Sequence, residues 1–156
     1  MPNTNTMNNH VPSLETCKRM KELGYPQKKV MFYIHFDNFA NECFVAPIHQ
    51  AIIGFGSDHK PLEKIIPNNY YAAPLASEIL EQLPKWVRNE KLHYNLMIDY
   101  LGDGAGISYE NQNKVIEVIT KAEGKKYESC LHRIVSESIT EACSLMWIFL
   151  KEKELI

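Results

Sequence analysis

Two pairs of side chains in this chain have the spacing of metal ligands. His35 and Asp37 stand two apart, and His93 and Asp99 lie along a second extended-looking segment. In a strand, alternate side chains share a face, so each pair points one way. Imidazole nitrogens and carboxylate oxygens are donors that a divalent ion accepts. If the two strands are neighbours, the four groups converge, and a metal-assisted hydrolase or a small-ligand pocket follows. The competing account is a polar sheet face carrying ordinary hydrogen-bonded histidines. No H-E-x-x-H spacing accompanies these residues.

Other chemistry is weaker. Ser57, Asp58 and His59 are adjacent in sequence, and such neighbours diverge instead of forming a triad. No G-x-S-x-G elbow is present. Cys43 with His35 or His49 would make a thiol–imidazole pair, but nothing marks that thiol as activated. Gly102-Asp103-Gly104-Ala105-Gly106 is followed by Ile-Ser-Tyr-Glu and lacks the Gly-Lys-Ser/Thr of a phosphate loop, so it reads as a hairpin turn. Phe32, Tyr33, Phe36, Phe39, Tyr70 and Tyr71 could stack bases, yet basic residues do not interleave with them. Core packing accounts for the phenylalanines. Tyr70 and Tyr71, beside Asn68 and Asn69, suit a binding surface.

The elements that would position these groups are punctuated clearly. Ser13 caps a helix with Glu15 in its first turn and Leu14, Cys17, Met20 and Leu23 along it; Gly24 and Pro26 stop it. Val-Met-Phe-Tyr-Ile-His-Phe at 30–36 is a strand with two apolar faces, so a central one. The stretch 37–71 is cut by Pro47, Gly54, Gly56, Pro61 and Pro67 into loops with one or two short strands, at 43–46 and 51–55. Pro74 opens a second amphipathic helix that Pro84 closes. Positions 92–100 alternate, with Leu92, Tyr94, Leu96, Ile98 and Tyr100 on one face, and pair with a strand at 107–111. Positions 115–120 suit a further strand and 122–126 its turn.

The last helix carries the strongest architectural signal. Leu131, Ile134, Val135, Ile139, Ala142, Leu145, Met146 and Phe149 have the spacing of one helix face, with Ser129 as its cap. Trp147, Ile148 and Leu150 lie off that face. A helix that is apolar on more than one side is central to the fold or to a dimer.

The bulk numbers set limits. A chain of 156 residues, 45% hydrophobic and 23% charged, with a formal charge of −2, fits one globular domain and gives no broad positive field for nucleic acid. Lys18, Arg19 and Lys21, and Lys28 with Lys29, read as solvated faces. The four cysteines, Cys17, Cys43, Cys130 and Cys143, form no C-x-x-C pair, and no secretory signal or apolar run of membrane-spanning length is visible. A reduced, cytoplasmic protein is the expectation. Residues 1–10, rich in Asn and Thr, read as a disordered tail before a single domain over 11–156.

Three blocks together carry a resemblance: Val11-Pro12-Ser13-Leu14-Glu15 to Leu23-Gly24-Tyr25-Pro26-Gln27, Ala73-Pro74-Leu75 to Leu83-Pro84, and Ala142-Cys143-Ser144-Leu145-Met146-Trp147 to Leu150-Lys151-Glu152. Their order resembles a family of small uncharacterised bacteriophage and prophage proteins with a phage ABA (α/β/α) sandwich domain. The resemblance implies a layered fold and a mobile-element context. It brings no catalytic residues.

The reading is therefore an α+β fold, a mostly antiparallel sheet layered with three main helices in α/β/α sandwich-like fashion. The expected function is non-enzymatic: an accessory protein that binds another protein or itself through Trp147, Ile148, Leu150, Tyr70 and Tyr71, with no catalytic residue and no cofactor. Nucleic acid and membrane are not expected partners. The alternative is a nucleotide-binding protein or metal-assisted hydrolase using His35, Asp37, His93 and Asp99.

Overall fold

Ser13 starts the first helix as its residue type predicts. Its Oγ accepts from the Thr16 amide at 3.2 Å, and the helix α1 runs over Leu14–Glu22. It ends where Gly24 takes φ +85°. The Tyr25 amide then donates to the Met20 carbonyl at 2.8 Å and the Gly24 amide to Lys21 at 3.1 Å, so the last carbonyls are satisfied.

The computed structural model describes residues 10–28, 30–37, 42–47, 52–53, 60–61, 69–90, 92–102, 104–111 and 129–156. Residues 1–9 of the tail expected over 1–10, the strand at 115–120, the turn at 122–126, and Ser57, Asp58, His59, His49 and Phe39 lie outside them. After α1 come β1 (Phe32–Asp37), β2 (Glu42–Pro47), β3 (Ile52–Ile53), β4 (Lys60–Pro61), β5 (Tyr70–Ala72), α2 (Ala76–Leu80), β6 (Trp86–Asn89), β7 (Leu92–Leu101), β8 (Gly104–Glu110), β9 (Cys130–Ser136) and α3 (Ile139–Glu152). The fold is α+β, and every strand pair is antiparallel. One sheet has the order β2-β1-β5, a second β6-β7-β8-β9, and β3 pairs with β4. β1 is central in its sheet, as its two apolar faces require.

In the β7–β8 hairpin Leu101 stands opposite Gly104. Gly102, which follows β7, sits at φ +46°, a conformation that suits glycine. The second helix is shorter than its punctuation suggests. Pro74 is buried ahead of it, and Glu78 holds its start by accepting from the Leu75 amide at 2.7 Å and the Met31 amide at 3.0 Å.

The last helix begins later than the apolar spacing predicts. Leu131, Ile134 and Val135 belong to β9, paired with β8, and Ser138 rather than Ser129 is the cap. Three apolar residues in a strand happened to continue the helical spacing of Ile139 and Ala142. β-branched Ile134 and Val135 favour extended backbone, and Ser138 offers its Oγ to the Glu141 amide at 3.4 Å.

The main core gathers Met20 and Tyr25, Tyr33 of β1, Ile79 of α2, Tyr94, Ile107 and Tyr109 of the four-stranded sheet, and Ala142, Met146, Trp147 and Leu150 of α3. α3 packs on β8 and β9 and also against α1 and α2. Trp147 is 2% exposed and Leu150 0%. These two were expected on an interaction flank; the chain's own elements cover them, because α3 lies between the sheet and the other helices. Ile148 is partly buried against the same core. A smaller cluster, Val11, Cys17, Ile34 and Ala73, joins α1 to the opposite face of the three-stranded sheet.

Glu141 ties the first helix to the last. Its carboxylate accepts from the Ser13 amide at 2.8 Å, from Ser13 Oγ at 3.1 Å and from Thr16 Oγ1. Burial, aided by the Glu141 charge, pushes the nearby Cys17 thiol up to about 12, so that thiol stays protonated and inert. Glu141→Ala is expected to lower unfolding free energy by about 1.5–3 kcal/mol, the range for bonds to a charged acceptor. Urea denaturation followed by circular dichroism measures it, with Glu141→Gln falling between the variant and the parent.

Candidate functional site

Register across the three-stranded sheet lines up three rings. Phe44 of β2 and Tyr70 of β5 both stand opposite His35 of β1. The His35 and Tyr70 rings stack at 4.5 Å between centroids, 14° from parallel. Phe44 is 43% exposed. Beyond this row toward the core, the same face carries Tyr33, buried in the main cluster, whose hydroxyl donates to the Gln27 carbonyl at 2.7 Å. The row therefore forms where a sheet face runs out from under the core. Tyr71 belongs to the opposite face, half-buried, with Lys21 Nζ 4.8 Å and Lys18 Nζ 5.8 Å from its ring centroid. Lys21 also donates to the Tyr70 carbonyl at 3.1 Å.

The four candidate metal ligands fall in two sheets. His35 and Asp37 are on β1, whose neighbours are β2 and β5; His93 and Asp99 are on β7, between β6 and β8. Among the described residues β1 and β7 are thus not neighbouring strands. His35 is stacked on Tyr70, His93 lies 5.1 Å from the Trp86 ring, and Asp99 is 3.5 Å from Arg133 Nη2. Among the described residues no three His, Cys, Asp or Glu groups stand together as ligands. The Cys43–His35 pair does not form either. Cys43 lies on the other side of its sheet, where with Val11, Pro12, Ser13, Leu14, Ile34 and Val45 it lines a largely apolar cavity of about 290 Å³. Cys17 and Cys143 are buried thiols, the latter pushed up to about 11 by burial.

Among the described residues, the His132 imidazole is perturbed. His132 on β9 stacks on Phe149 of α3, with centroids 3.8 Å apart and planes at 11°. Burial first, then the charge of Lys153, lowers its pKa from the ordinary 6.5. The unfolded chain then takes up this proton before the folded one does. Its contribution to stability is complete above about pH 6.5 and is lost as pH falls through that value toward the folded pKa. The melting temperature is expected to fall over that window, and His132→Gln to flatten the slope; a variant with the parent's slope would remove His132 as the cause.

Among the described residues no helix is long and apolar enough to cross a membrane. Comparison with known protein families, with curated proteins and with solved structures finds no match.

The spacing of apolar residues in the sequence did not single out Phe44 and Trp86. The alternation Cys43-Phe44-Val45-Ala46 was visible, but the prolines and glycines around it obscured which strand it would join. Trp86 stands two residues after Pro84, in a four-residue strand too short to show a period.

Proposed function

We propose that this chain is a non-enzymatic binding protein that works by protein–protein contact, self-association being the simplest case, in an accessory role of phage or prophage type. The Phe44–His35–Tyr70 row supports the reading. Aromatic side chains contribute large contact area at small entropic cost, and they dominate the centres of protein interfaces. The half-buried stack holds Tyr70 in place, while Phe44 offers an apolar face to a partner. The surface expected at Trp147 and Leu150 moves to this row, with Tyr70 kept from the original set. No observation gathers His35, Asp37, His93 and Asp99 in support of the hydrolase alternative.

Light scattering at rising protein concentration tests the proposal. The parent should self-associate and Phe44→Asp should stay monomeric with an unchanged melting temperature. A parent that remains monomeric at its solubility limit would remove self-association. The genes flanking this one test the mobile-element context.

A further inference from the structure

Among the described residues the outer strands of the two larger sheets are β2, β5, β6 and β9. An outer strand turns one row of backbone N–H and C=O groups away from its sheet, and proteins blunt such edges with charges, bulges or short length. β5 has three residues, β6 carries Arg88, and β9 carries Arg133 and a register shift at Tyr109 and Glu110. β2 has none of these devices over Cys43-Phe44-Val45-Ala46, and it pairs with β1 without a shift. Both of its faces are apolar there. Phe44 ends the ring row on one, and Cys43 and Val45 line the apolar cavity on the other. The far side of the sheet fixes which backbone groups of β2 point outward. The Ala73 amide donates to the Phe32 carbonyl at 2.9 Å, so Phe32 turns its backbone groups toward β5. Alternation along β1 then turns Tyr33 and His35 toward β2, where Ala46 and Phe44 are their register partners. In β2 itself Phe44 and Ala46 therefore face β1, and Cys43, Val45 and Pro47 face outward. Pro47 has no N–H to give a ladder, which suits the outward set.

Resting on the reading that the chain self-associates through Phe44, we propose that two copies join β2 to β2, antiparallel about a two-fold axis at Phe44, so that the two three-stranded sheets become one continuous sheet. Phe44 then stands opposite the partner's Phe44 as a non-hydrogen-bonded pair, the kind that brings side chains closest. Cys43 and the partner's Val45 exchange both backbone bonds, and Val45 does the same with the partner's Cys43. The row Tyr70–His35–Phe44 runs on into its own copy. On the opposite face the apolar cavity walls of the two chains meet through Cys43 and Val45. The occupant is a second copy because this register sets apolar side chains against apolar ones on both faces, in an isologous contact that closes on itself.

Two measurements test the pairing in a parent whose association is followed by light scattering. Amide exchange read by NMR at rising protein concentration should slow about tenfold or more at Cys43 and Val45, while Phe44 and Ala46, bonded to β1, stay protected at every concentration. In a Cys43→Ser background, Phe44→Cys keeps an apolar side chain on the axis and should oxidise to a disulfide-linked dimer, since a Cα separation of about 4.5 Å suits that bond. Ala46→Cys in the same background should not link, because the register sets it opposite the partner's Glu42 and far from its own copy. An associating parent whose Cys43 and Val45 amides exchange at unchanged rates, or in which Ala46→Cys links as readily as Phe44→Cys, overturns the pairing and leaves self-association through Phe44 standing. A parent that stays monomeric removes self-association itself, and this pairing with it.

Discussion

Trp147→Ala lowers the free energy of unfolding by about 3–5 kcal/mol, the range for deleting a large buried aromatic. The indole is 2% exposed and meets Tyr25 edge-on at 5.0 Å and 78°, with Lys151 Nζ 5.6 Å over its ring. An edge-to-face pair adds about 0.5–1.5 kcal/mol beyond the area it buries. Because domains of this size are stable by only about 5–15 kcal/mol, the variant approaches the unfolding threshold at room temperature. Urea denaturation monitored by circular dichroism measures the loss, and it should not depend on protein concentration. A small loss, or one that grows on dilution, would mean that the indole sits at a contact between chains instead of inside one.

Gly104→Ala comes next in size. A Cβ built there lies 2.6 Å from the Ser136 carbonyl oxygen and 3.3 Å from its carbon, both backbone atoms of β9. A side chain could turn aside; a strand held in a ladder cannot. The substitution must part β8 from β9 where Ala105 faces Ser136, at an expected cost of about 1–3 kcal/mol. Gly102, in the same turn, gives the contrast. A Cβ there meets nothing within 4 Å, and only its φ of +46° opposes a side chain. Gly102→Asn should therefore be nearly neutral, since asparagine tolerates that conformation. Equal losses in the two variants would show that crowding against Ser136 is not the cause.

What the sequence made legible was local. Ser13 and Gly24 bracket α1 by side-chain and backbone rules that act within a turn, and the alternation of Leu92 to Tyr100 announces β7 without reference to its neighbours. Strand order is set by contacts far apart in the chain, so periodicity could put His35 with Asp37 and His93 with Asp99 but could not say that two sheets separate the pairs. The start of α3 was misplaced because Leu131, Ile134 and Val135 fall by chance on a helical stripe while Ser138 supplies the real stop. The apolar excess of α3 was visible at Trp147 and Leu150; which element covers it depends on how α1, α2 and the sheet close around it. The candidate surface was least visible. Phe44, His35 and Tyr70 come from three strands, and no linear reading brings them side by side.

The Glu141 tie joins Ser13 and Thr16 to the first turn of α3, across 128 and 125 positions of chain. Until α3 has left the ribosome, the start of α1 has no carboxylate to hold it, and Met20 and Tyr33 lack the surface that buries them. The β7–β8 hairpin can form during synthesis, but closing the core waits for nearly the whole described chain. During that interval the growing chain presents apolar strands to its surroundings.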